Sequence, residues 1–175
     1  MKKQIFIFFA VLGLGISSCS KKDEVIPSTL EGTYNLENIS LKSKVADQAA
    51  ENENENVSAQ KMYYTFNSDG TYKTNASWSI GEINSSGTVS TGKYTINGNK
   101  LNITYQDGDL RKEITQTMQI KTNSDSQLVL FIGIDELKTS LKAAAGGLDA
   151  LTAAFLEILL SQMIEFEYTL TFKKA

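Results

Sequence analysis

Between Lys61 and Ile132 apolar side chains recur at every second position in short runs, each ended by a cluster of turn-forming residues. A period of two puts alternate side chains on opposite faces of a strand, so one face must be covered. Met62, Tyr64 and Phe66 form the first run, and Asn67-Ser68-Asp69-Gly70 turns the chain. Tyr72, Ala76, Trp78 and Ile80 continue the same parity on the return strand. Gly81 to Gly87, rich in Ser, Asn and Gly, reads as a loop. Val89, Tyr94 and Ile96 mark the next strand, with Gly92 as a bend point inside it. Asn97-Gly98 is a two-residue hairpin signal, after which Leu101, Ile103 and Tyr105 alternate. Gln106-Asp107-Gly108-Asp109 turns the chain again, and Leu110, Ile114, Met118 and Ile120 carry a longer strand. Thr122 to Ser126 is a polar turn, and Leu128 to Ile132 is an apolar strand.

The flanks extend this pattern and then break it. Leu30, Tyr34 and Leu36 share one parity and Ile39 and Leu41 the other, which predicts a bulge near Glu37-Asn38. Lys42 to Gln60 contains the run Glu51-Asn52-Glu53-Asn54-Glu55-Asn56, with like charges and no apolar periodicity. It reads as a mobile, solvated loop with room for a turn of helix at Val45 to Ala50. From Asp135 to Ile164 the period becomes helical: Leu137, Leu141 and Ala144, then, after Gly146-Gly147, Leu148, Leu151, Phe155, Ile158, Leu159 and Met163. The second of these helices, 148–164, is apolar around most of its girth and needs a cover. Phe166, Tyr168, Leu170 and Phe172 resume strict alternation as an eighth strand. The expected fold is therefore mainly β: an eight-stranded antiparallel meander with a two-helix insertion, 135–164, before the last strand. Its inward set is mostly even-numbered. Closure into a barrel removes the open edges, and a two-sheet sandwich is the alternative.

The N-terminus places this domain. Lys2 and Lys3 precede an apolar run from Ile5 to Ile16, too short to span a bilayer of about 30 Å, which marks a secretion signal. Ile16-Ser17-Ser18-Cys19 then matches a lipobox: cleavage before Cys19 and acylation of its thiol. Residues 1–18 are read as signal peptide, 19–29 as a lipid-anchored linker and 30–175 as one domain. Ser20-Lys21-Lys22-Asp23-Glu24 carries no obvious inner-membrane retention signal and resembles a surface-export signal. The expected site is the outer membrane, on the cell surface, with its periplasmic face as the alternative. Cys19 is the only cysteine and the chain has no histidine, so an acylated mature chain lacks disulfides, thiolate ligands and imidazole bases. A net charge of −3 with no basic stripe argues against nucleic acid.

Several segments resemble a known family. Leu30-Glu31-Gly32-Thr33-Tyr34 is similar to the opening Gly-x-Trp of lipocalins, with Tyr34 at the aromatic position. Tyr64 to Tyr72, Gly92 to Leu101 and the terminal Tyr168 to Lys173 resemble strands of lipocalin-like lipoproteins of Bacteroidetes. The likeness spans roughly residues 28 to 175 and implies a small barrel with an apolar interior. The chain departs from lipocalins in that Tyr replaces Trp after Gly32, no arginine lies near the last strand, and the helical pair precedes that strand.

Catalytic chemistry is sparse. Asp69 and the pair Asp107 and Asp109 stand beside glycines as turn residues, with too few oxygen ligands for calcium. Asp135-Glu136 opens a helix, where acids suit the dipole, and Glu165 and Glu167 fall on the solvent face of the last strand. No phosphate loop, serine elbow or metal cluster stands out, so no enzyme, cofactor or metal is expected. Core packing accounts for most of the tyrosines, while Tyr63 and Tyr105 are the better candidates for exposure. Two functions remain: a binding module for a small apolar ligand, with Leu151, Phe155, Ile158 and Leu159 lining or capping its mouth, or an interaction protein whose apolar helices pack on a partner or a second copy. Beyond these, the partner expected is the membrane, through the lipid on Cys19.

Overall fold

Gly32 begins a fourteen-residue strand, β1 (Gly32–Val45), against which the rest of the sheet is ordered. The computed structural model describes residues 30–79, 82–107, 112–145, 154, 157, 158 and 160–175. After β1 come β2 (Glu51–Asn56), β3 (Tyr63–Phe66), β4 (Thr71–Ser79), β5 (Glu82–Asn97), β6 (Lys100–Asp107), β7 (Lys112–Asn123), β8 (Gln127–Gly133), helix α1 (Ile134–Ala145) and β9 (Met163–Lys174). Each of β3 to β9 pairs antiparallel with the next, and β9 returns to β1, from Tyr34 opposite Lys174 to Val45 opposite Met163. The sheet is thus a closed eight-stranded barrel with one extra strand, β2, and not a sandwich. Closure gives both edges of the meander a partner. We call the end at Gly32 lower and the end at Val45 upper.

The predicted bulge is present. Leu36 lies opposite Phe172 and Asn38 opposite Thr171, so Glu37 is extra and the inward parity passes from Leu36 to Ile39. Four expectations need correction. The segment 42–60 is not a mobile loop: after a turn at 46–48, Glu51 to Asn56 pairs with Ser43 to Asn38 as β2. Its Glu/Asn alternation is polar on both faces, so it lacks the apolar signal by which strands are recognised; cross-strand backbone pairing holds it, with Asn38 Nδ2 donating to Asn54 Oδ1 at 2.5 Å. The loop foreseen at 81–87 is mostly strand, because β5 starts at Glu82; the irregularity sits instead where Thr74 faces Ser90 and Ala76 faces Ser85. There Gly87 adopts a positive φ and Val89 is exposed. The hairpin loop after β5 is Gly98-Asn99 rather than Asn97-Gly98, since Asn97 pairs with Lys100 and Gly98 has a φ of 59°. Finally, Met163 and Ile164 belong to β9 and not to the end of a helix.

β2 and β3 lie end to end along one side of β1, separated by a 3₁₀ turn at Ser58–Gln60. The chain is secured on either side of that turn by Val57 N–H donating to Glu37 O (2.9 Å) and Leu36 N–H donating to Met62 O (2.8 Å). Val57 and Met62 are both buried, so the detour inserts two apolar side chains into the core. β4 pairs with β3 only through Tyr72 to Thr74; above that point its pairing is with β5. Among the described residues, β2 pairs only with β1, so the hydrogen-bonded wall is interrupted between β2 and upper β4. Asn75 finishes the seam by accepting from Tyr63 N–H (2.9 Å) and donating to Lys61 O (3.1 Å).

Tyr34, Leu36, Tyr64, Phe66, Leu101, Ile103, Met118, Leu128, Leu130 and Phe172 are all at most 2% exposed and form one cluster inside the barrel. Thr74 shares their inward parity and stays satisfied, donating to Tyr63 O at 2.6 Å and accepting from Ala76 N–H at 2.9 Å. Gly92 is required by close approach. The Tyr72 ring crosses it toward Thr104 O, and a Cβ there would lie 2.4 Å from that oxygen and 2.6 Å from the Tyr72 hydroxyl.

Candidate functional site

The lower end of the barrel is sealed by aromatic rings. Phe66 meets Tyr94 edge-on at 5.0 Å, Tyr34 at 5.9 Å, and lies nearly parallel to Tyr64 at 5.8 Å; Tyr64 in turn meets Phe172 edge-on at 5.9 Å. The Tyr94 hydroxyl lies 2.6 Å from Leu30 O and 2.8 Å from Asn67 O, tying the chain's entry to the β3–β4 turn. Burial, as the chief cause, holds this hydroxyl above the usual tyrosine range, so it remains a neutral donor at physiological pH. Asp69 is confirmed as a turn residue: it accepts from the Thr71 N–H (2.9 Å) and hydroxyl (2.6 Å), and these bonds lower its pKa. Its donors are spoken for by the turn itself.

The upper end is different. Ile39, Leu41, Tyr105, Leu137 and Phe166 pack against the core cluster yet remain only half-buried. Ile164 is 60% exposed and Ile158 58% exposed, whereas Leu141 and Leu160 are buried. Helix α1 leaves this rim. Its third residue, Glu136, accepts from Gly133 N–H (3.2 Å), the reciprocal arm of a capping box, and from Gln119 Nε2 (2.9 Å). Gln119 lies between the buried Met118 and Ile120 and so points out of the barrel, which sets the first turn of α1 on the outer rim of β7 and β8. Burial alone would raise the Glu136 pKa. The Gln119 bond, the backbone N–H groups and Lys100 outweigh it and hold the carboxyl below its ordinary range.

A third feature is an open groove of about 220 Å³ on the outer face, lined by Ser40, Lys42, Asn52, Asn54, Glu167 and Thr169, with Leu41 and Glu53. Lys42 is paired with Glu165 beside it, at a largely solvated position. The groove is open, and most of the side chains that line it are polar.

Of the residues singled out from sequence, Ile158 is described and is exposed. Cys19, Leu151, Phe155 and Leu159 lie outside the described residues, as do the segments 1–18 and 19–29 and Asp109. Tyr63 and Tyr105 are half-buried rather than exposed, and Tyr34, Tyr64, Tyr72, Tyr94 and Tyr168 are core residues. Ile39, Leu41 and Phe166 were not legible as site residues, because their alternation looks the same as that of fully buried neighbours. Among the described residues no group of three or more acidic, His or Cys side chains is arranged to hold a metal. None of the described helices is long and apolar enough to cross a membrane.

A family model described as a lipocalin-like domain matches residues 30–130, from the first buried leucine into β8. The chain belongs to the lipocalin-like domain family. The match stops short of α1 and β9, so the helical insertion and closing strand of this lipocalin-like barrel lie beyond it. Among solved structures, a polyisoprenoid binding domain from Saccharophagus degradans implicated in plant cell wall breakdown aligns with a TM-score of 0.33. The two chains are 10% identical over 81% of this chain and 98% of that one, a likeness too distant to speak of ligands. No curated protein matches the chain.

Proposed function

We propose that the chain is a membrane-tethered, non-catalytic binding module whose upper barrel end takes a small apolar ligand. The observation that carries this reading is the contrast in burial along one interior: at the lower end the inward-facing residues are sealed from water apart from the half-buried Ile96, whereas Ile39, Leu41, Tyr105 and Phe166 on the upper strands, with Leu137 of α1 beside them, keep part of their surface open. Half-buried apolar surface at a barrel mouth is where an apolar ligand gains most from leaving water. Membership of the lipocalin-like family supports the same assignment. Leu151, Phe155, Ile158 and Leu159 of the helical insertion are proposed to line or cap that mouth. The tether is the acylated Cys19, and Ser20 to Glu24 favour an outer-membrane, surface-exposed location in a lipoprotein of the Bacteroidetes type. Several acyl chains give far firmer anchoring than one.

The test is binding of a fluorescent fatty-acid probe to the delipidated domain, with native mass spectrometry for retained apolar molecules. Probe binding weakened by Phe166→Asp or Leu41→Asp supports the reading; absence of both retained ligand and probe binding overturns it. Cys19→Ala is expected to leave a folded domain that no longer partitions with membranes. A second reading, contact with a partner or second copy, is favoured by the exposure of Ile158 and Ile164. Concentration-dependent assembly abolished by Ile164→Asp would select it.

A further inference from the structure

We infer that the barrel stands on its membrane by the sealed lower end, so the apolar rim faces away from the bilayer and receives its ligand from the aqueous side. This rests on the tether at Cys19 proposed above, and the structure adds where the tether enters. Leu30, the first described residue, is 1% exposed at the lower end, and its carbonyl is held by the Tyr94 hydroxyl. The other terminus is fixed at the same end, with Ala175 N–H donating to Thr33 O at 2.9 Å. The chain therefore joins its anchor opposite the rim from which α1 departs.

Length makes the reverse posture costly. The fourteen residues of β1 run about 45 Å along the strand, or about 35 Å of barrel height at the usual strand tilt. The eleven residues from Cys19 to Thr29 reach about 38 Å only when fully extended. Bringing the upper rim to the lipid would stretch the tether to nearly its full length.

The test uses full-length acylated protein on vesicles of phosphatidylcholine and phosphatidylglycerol that carry a quencher at the headgroup. Acylated Cys19 leaves no other thiol, so Ser68→Cys in the lower turn and Thr139→Cys on α1 each provide a single labelling site. The lower label is expected to be quenched several-fold more than the upper one. Flotation of the protein with equal or reversed quenching would overturn the orientation and leave the tether intact. Failure of the acylated protein to float with vesicles would overturn the tether reading, and the orientation with it.

Discussion

The lower and upper ends of this barrel are made from the same residue types on the same strands, yet they treat water differently. At the lower end Tyr34, Tyr64, Phe66 and Phe172 interlock through edge-to-face and stacked contacts, and the Tyr94 hydroxyl reaches Leu30 O and Asn67 O. At the upper end the rings and branched chains thin out: Phe166 and Tyr105 remain half-buried, the wall is interrupted between β2 and β4, and polar contacts such as Gln119 to Glu136 organise the rim. The difference separates stability from binding. One end spends its aromatic surface on itself, and the other keeps apolar surface available.

Paired truncations probe this contrast most strongly. Phe66→Ala should cost about 3–5 kcal/mol, as a fully buried ring leaves a cavity, whereas Phe166→Ala should cost only about 1–2 kcal/mol. Urea unfolding measures both, and equal losses would erase the distinction between the ends. Gly92→Ala comes next, at about 2–3 kcal/mol, because its Cβ would collide with Thr104 O in the wall that both ends share. Rescue by Gly92→Ala, Tyr72→Phe would locate the clash at the Tyr72 hydroxyl rather than the backbone oxygen. Tyr94→Phe should cost about 1–2 kcal/mol, since it removes the donor to the buried Leu30 carbonyl while keeping the ring; Asn67 O retains Gly70 N–H as a donor.

The smallest effect belongs to the rim. Glu136→Gln should lower stability by about 1 kcal/mol near neutrality and flatten the acid limb of the melting profile. The sign follows from its depressed pKa. Its contribution is complete above the ordinary carboxylate value of 4.5 and fades as the pH falls through the lower folded-state value. Thermal melts at stepped pH check it, and an unchanged acid limb would mean that Glu136 is not a principal acid-sensitive group.

Much of the barrel was legible in the chain. Met62-Tyr64-Phe66 and Tyr168-Leu170-Phe172 alternate because one face of each strand must be apolar, and the parity switch after Leu36 marked the bulge at Glu37. Glu51 to Asn56 was illegible as a strand, since a strand with two wet faces carries no hydrophobic alternation. Phe166 and Phe172 show why the site was harder to read than the fold: the two are equivalent in pattern and unequal in burial. Position along the barrel axis, which no local pattern encodes, separates them.

The sequence alone determined the alternating strands, most of the turns between them, the helical break before the last strand and the absence of imidazole chemistry. These follow from local periodicity and composition. Only the tertiary structure decided that β9 closes on β1, that β2 continues the line of β3 along β1, and that the chain enters at the sealed end. Each depends on which distant backbone edges find one another, and edges present the same N–H and C=O groups whatever their side chains.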